Sequence, residues 1–95
     1  MTTTEAAFTG AILSTDGLLC DRLDIVGFRS RRGSGDGTMW RGVFTLPQGV
    51  GRRQIGETLY IQLDDRSQVP LVVTDVIRQS VCFRAKGKLP IGGRR

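Results

Sequence analysis

Eight cationic side chains fall in three short stretches: Arg29, Arg31 and Arg32; Arg52 and Arg53; and Arg84, Lys86 and Lys88. A guanidinium presents a planar fork of donors that fits phosphate and carboxylate oxygens, and an ammonium meets the same anions as a point charge. The chemistry open to these residues is recognition of an anion rather than bond-making. Formal charge alternates along the chain: −3 over residues 1–28, +5 over 29–53, −3 over 54–77 and +6 over 78–95, for a total of +5. Should the two basic stretches meet in the fold, one face becomes strongly positive. Phosphate backbones reward such a face through release of their counterions. The expected partner is therefore anionic: nucleic acid, a nucleotide or an acidic protein surface.

Catalysis is not expected. The chain has no histidine, so the commonest general base and metal ligand is missing. Its two cysteines, Cys20 and Cys82, cannot hold zinc alone. A serine or cysteine nucleophile would have to borrow its base from lysine or a carboxylate. No catalytic residue, metal site or cofactor is assigned. The carboxylates have structural readings. Asp64 and Asp65 sit in Asp64-Asp-Arg-Ser67, a turn sequence whose side chains cap backbone groups. Asp75 falls on the Leu71, Val73, Ile77 face of its strand, where burial would demand an arginine or a backbone donor.

The loop Gly33-Ser-Gly-Asp-Gly37 has glycines that could lie against a phosphate. It lacks the Lys-Ser/Thr that ends a P-loop and the glycine spacing of a dinucleotide fingerprint. A hairpin connection is the expected role. The signature of PilZ domains, basic barrels that bind a cyclic dinucleotide, is also missing. No R-x-x-x-R occurs, and the stretch Asp65-Arg-Ser-Gln-Val-Pro70 has proline where the second PilZ motif needs glycine. Trp40, Phe44 and Phe83 read as core and Tyr60 as outward, so no aromatic platform for stacking bases is expected.

The elements that must position these residues are strands. Period-two alternation recurs, and no helical stripe persists for three turns. Strands are expected over Ala6–Leu13, Leu18–Arg29, Thr38–Leu46, Glu57–Leu63, Gln68–Gln79 and Val81–Ala85. In the second strand Leu19, Leu23 and Ile25 share one face, then Val26 and Phe28 follow on the other, which suggests a bulge near Ile25–Gly27. Gly42 leaves room for a neighbouring ring or backbone, and Pro70 points to a strand start or an edge. On the last strand Val81, Phe83 and Ala85 point inward, so Cys82, Arg84 and Lys86 form an outer row. Arg41 lies on the outer face of its own strand, and a positive ridge forms if the two strands are neighbours.

The expected fold class is all-β, a small antiparallel barrel or orthogonal sandwich of about six strands, SH3-like or OB-like in size. Its core is expected from Phe8, Leu23, Ile25, Phe28, Trp40, Phe44, Leu59, Ile61, Leu63, Val73, Ile77 and Phe83. One domain spans residues 1–90, with 91–95 a flexible basic tail. At 95 residues the chain is of single-domain size. No membrane-length apolar run and no signal-peptide pattern occurs; with only two cysteines, cytoplasmic residence and free thiols are expected, with a single Cys20–Cys82 bridge left open because sequence separation does not fix distance in space. A second functional class stays open: a protein-interaction or homo-oligomeric assembly module using an exposed strand edge or apolar patch.

Overall fold

The computed structural model describes residues 5–29 and 39–87. They form six strands: β1 (Glu5–Ser14), β2 (Gly17–Arg29), β3 (Met39–Thr45), β4 (Thr58–Gln62), β5 (Gln68–Ile77) and β6 (Ser80–Lys86). The strands close into an antiparallel barrel in the order β1-β2-β3-β6-β5-β4. Two three-stranded meanders are thus sealed by two long-range pairings, β3 with β6 and β1 with β4. Closure removes most of the unpaired edge that an open sheet would carry. No helix long and apolar enough to cross a membrane occurs among the described residues.

The turns follow from their residues. At the β1–β2 connection Gly17 adopts φ 135°, a value that favours glycine, and the Asp16 amide donates to Ser14 Oγ at 3.0 Å. The side-chain acceptor in this turn is the Ser14 hydroxyl. At the β4–β5 turn the expected aspartate cap is present: Asp65 Oδ1 accepts from the Ser67 amide at 2.9 Å and its hydroxyl at 2.6 Å. Those bonds hold the Asp65 carboxyl below its ordinary range, because they favour the charged acceptor. Pro70 lies at the start of β5, just before pairing with β6 begins at Leu71, so its missing N–H costs no ladder bond.

The core is built on rings. Trp40, Phe44 and Phe83 are buried beside Ile12, Ile25, Leu59, Ile61, Leu71, Val73 and Val81. Trp40 meets Phe83 edge-on at 5.4 Å and Phe8 at 6.0 Å, spacings at which aromatic pairs attract beyond their burial. Gly42 is the register partner of Phe83 on one side and of Gly27 on the other. Built onto Gly42, a β-carbon would stand 2.5 Å from Phe83 Cζ, so the expectation that this glycine admits a neighbouring ring holds.

Two core expectations are corrected. Phe28 lies half-buried on the outer surface. The phase change of β2 falls four residues earlier than expected: Gly10 pairs with Leu23 and Ile12 with Cys20, so Asp21 and Arg22 together oppose Ala11. From Leu23 onward alternation is regular, with Ile25 and Gly27 inward and Val26 and Phe28 outward. The bulge sits where β1 turns to pair with β4 at Ala11–Leu13, so barrel closure sets its position.

Ile77 is 59% exposed, and Asp75 is exposed rather than buried. In β5, Val73 pairs with Phe83 but Asp75 pairs with Cys82. The bulge at Thr74–Asp75 turns both residues outward and brings Val76 onto the core instead. Asp75 Oδ1 accepts from the Val76 amide at 2.9 Å, so no arginine partner is needed.

Cys20 and Cys82 are free and half-buried. Cys82, Val43 and Val26 are successive register partners, and Cys20 lies six residues along β2 from Val26. At ~3.3 Å per strand residue the thiols stand roughly 20 Å apart, far beyond the ~7 Å limit for a bridge. Thiol titration of the folded protein without reductant is therefore expected to find two reactive groups after denaturation. A native intramolecular disulfide would contradict this register.

Candidate functional site

Antiparallel pairing arranges outer side chains in transverse rows. One row runs Phe28, Arg41, Arg84, Val72, Thr58 across β2, β3, β6, β5 and β4. The next runs Val26, Val43, Cys82, Asp75. Met39 and Lys86 pair at the end of β3 and β6. The expected ridge condition is met: β3 and β6 are neighbours, and Arg41 stands directly opposite Arg84.

Arg41, Arg84 and Lys86 are exposed, while Val26, Phe28, Met39, Val43, Val72 and Cys82 are half-buried around them. The face is thus apolar between its cations. A shallow groove of about 720 Å³ is lined by Phe28, Arg41, Val43, Thr74, Asp75 and Cys82. A second of about 310 Å³, lined by Met39, Pro70, Val72, Arg84 and Lys86, lies on the other side of Arg84. Both fall in the size range of small-ligand sites. Asp75 places one carboxylate at the margin of the larger groove.

Like charges directly opposite in an antiparallel pair destabilise the sheet. Among the described residues the ion pair is Arg53 with Glu57, at 2.9 Å, and neither Arg41 nor Arg84 takes part in one. Among the described residues, then, the two opposed guanidiniums have no carboxylate partner.

The eight sequence-predicted cations do not all gather here. Arg84 and Lys86 belong to this face. Arg52 and Arg53 lie in the β3–β4 loop, which leaves from Thr45, the register partner of Ser80, at the opposite end of β6 from Lys86. That loop is held down by Leu46, whose amide donates to the Gln79 carbonyl, and by Val50, packed against the core. The Arg53 guanidinium donates to Glu57 Oε2 at 2.9 Å and to the Gly51 carbonyl at 3.2 Å, so it clips the loop. Arg52 is exposed. Arg31, Arg32, Lys88 and the Gly33–Gly37 stretch lie outside the described residues, as does the side chain of Arg29.

Arg41 and Phe28 are additions to the predicted set. Arg41 was legible as an outer-face residue but needed a partner strand. Phe28 was hidden by the misplaced bulge, and its regular alternation with Val26 was the available signal. Among the described residues, no group of three or more histidine, cysteine or carboxylate side chains could hold a metal ion. A polar hollow of about 370 Å³ beside Thr9–Ala11 contains Asp21, Arg22, Asp64 and Arg66, charges that offset one another. Comparison finds no family model, no curated protein and no solved structure that matches this chain.

Proposed function

We propose that this protein is a non-catalytic binding module whose β2–β3–β6–β5 face takes an anionic partner on Arg41, Arg84 and Lys86. The observation that carries the reading is the direct opposition of Arg41 and Arg84. A phosphate or carboxylate lying across the pair converts a repulsion into two charge-assisted contacts. The half-buried apolar floor between the cations lowers the competition from water.

The test follows from that opposition. In the Arg41→Gln/Arg84→Gln variant, relief of the repulsion is expected to raise stability by about 0.2–1 kcal/mol. Affinity for a fluorescent anionic probe, a short oligonucleotide or heparin, is expected to fall at least ~10-fold at low salt. The slope of log affinity against log salt is expected to drop by about one to two, for one or two lost phosphate contacts. A variant that binds as well as the parent, or that is destabilised, refutes the reading.

A second reading rests on a different observation. Among the described residues β1 pairs with β4 only from Ala11 to Leu13, so its Glu5–Gly10 half has a strand on one side. That edge could accept a strand from a protein partner or a second copy. Self-association that survives high salt in gel filtration would favour it over the anionic-partner reading.

A further inference from the structure

We infer that the partner of this face is single-stranded nucleic acid, with a base stacked on Phe28 and phosphates lying over Arg41 and Arg84. This deepens the anionic-partner reading and rests on it. The three residues are consecutive in one transverse row. With strands about 4.8 Å apart, the row spans roughly 10 Å from aromatic to outer guanidinium. It sets an aromatic face, a cation able to stack or to bind phosphate, and a second cation in line. That combination of base stacking and backbone charge is how single strands are held without reading their sequence.

Other anions fit less well. An extended peptide adds to a sheet through free backbone at an edge, but β3 and β6 are paired on both sides, so this face offers a peptide no ladder. A duplex keeps its bases stacked inside and is read by an element that enters a groove, whereas Arg41 and Arg84 lie on the flank of a barrel. Free phosphate would leave Phe28 and the floor at Val43 and Cys82 unused. Asp75 at the groove margin repels phosphate, which directs the backbone along the Arg41–Arg84 row and leaves the Asp75 side to base N–H groups.

The experiment uses the whole chain and three probes of equal length, about twelve nucleotides: oligothymidine, an abasic strand with the same phosphates, and a duplex. Oligothymidine is expected to bind at least ~10-fold tighter than the abasic strand or the duplex. Phe28→Leu is expected to lower oligothymidine affinity by about 5- to 100-fold and to leave abasic binding unchanged, which also reports that the variant is folded. Equal binding of oligothymidine and abasic strand overturns the stacking inference, and that comparison needs no variant. If both are then weakened by Arg41→Gln/Arg84→Gln, the anionic face stands and only the base contact fails. If no probe binds at low salt, both readings fall.

Discussion

Replacing Gly42 by alanine is expected to lower the unfolding free energy by about 3 kcal/mol, at the upper end of the usual cost of overpacking. The new β-carbon would stand 2.5 Å from Phe83 Cζ, 3.0 Å from Cε2 and 2.8 Å from the Val26 carbonyl oxygen. The ring cannot swing away, because Trp40 lies edge-on to it at 5.4 Å and Phe44 lies 5.6 Å from it. The carbonyl belongs to a neighbouring strand and moves only with the sheet. For a domain of this size each kcal/mol shifts Tm by about 4–8 °C, so a loss of more than about 12 °C is expected. Gly10→Ala should cost less, since the nearest atom to its β-carbon is a side-chain methyl, Ile61 Cγ2 at 2.9 Å. Gly51→Ala, whose nearest atom is the mobile end of Arg53 at 3.4 Å, should shift stability by no more than about 0.5 kcal/mol. Urea or thermal unfolding of the three variants checks the ranking. A Gly42→Ala protein as stable as the parent would mean that Phe83 does not lie over this glycine.

A paired substitution in β5 has nearly as large an expected effect, and its sign is opposite to simple alternation. Val76→Asp is expected to cost about 3 kcal/mol, from lost apolar burial and from a carboxylate facing the core. Ile77→Asp is expected to change stability by less than about 0.5 kcal/mol. Val76 packs against the buried cluster and pairs with buried Val81, while Ile77 stands in solvent at the β5–β6 turn. Strict alternation from Leu71 and Val73 would bury Ile77 and expose Val76, giving the reverse ranking. Unfolding midpoints of the two variants therefore test the Thr74–Asp75 bulge directly. A costly Ile77→Asp beside a harmless Val76→Asp would remove it.

The same bulge bears on function. By turning Asp75 outward it places a carboxylate beside Cys82 at the groove margin, and by the same step it brings Val76 inward. The earlier bulge in β2 leaves Phe28 beside Arg41. The β5 irregularity moves Asp75 from where periodicity would put it to the outer face, whereas Phe28 is outward because β2 alternates regularly beyond its bulge. Bulges commonly re-aim side chains near binding sites in this way.

The residues by themselves determined the strand content and most strand bounds. β3, β4 and β6 alternate strictly, and their observed ends, Met39–Thr45, Thr58–Gln62 and Ser80–Lys86, lie within one residue of those expected. Alternation of that kind is a local property, because successive side chains in a strand must face opposite sides. The turn at Asp64–Ser67 was legible for the same reason: its hydrogen bonds span two residues. Only the tertiary structure decided which strands meet. Arg41 and Arg84 are 43 positions apart, and nothing local to either makes β3 and β6 neighbours. The β5 bulge was hidden and the β2 bulge was expected four residues too late, since no residue type marks the exact position and closure of the barrel sets where each ladder must slip. The core rings could be read from the chain; the row of Phe28, Arg41 and Arg84 exists only because β3 pairs with β6.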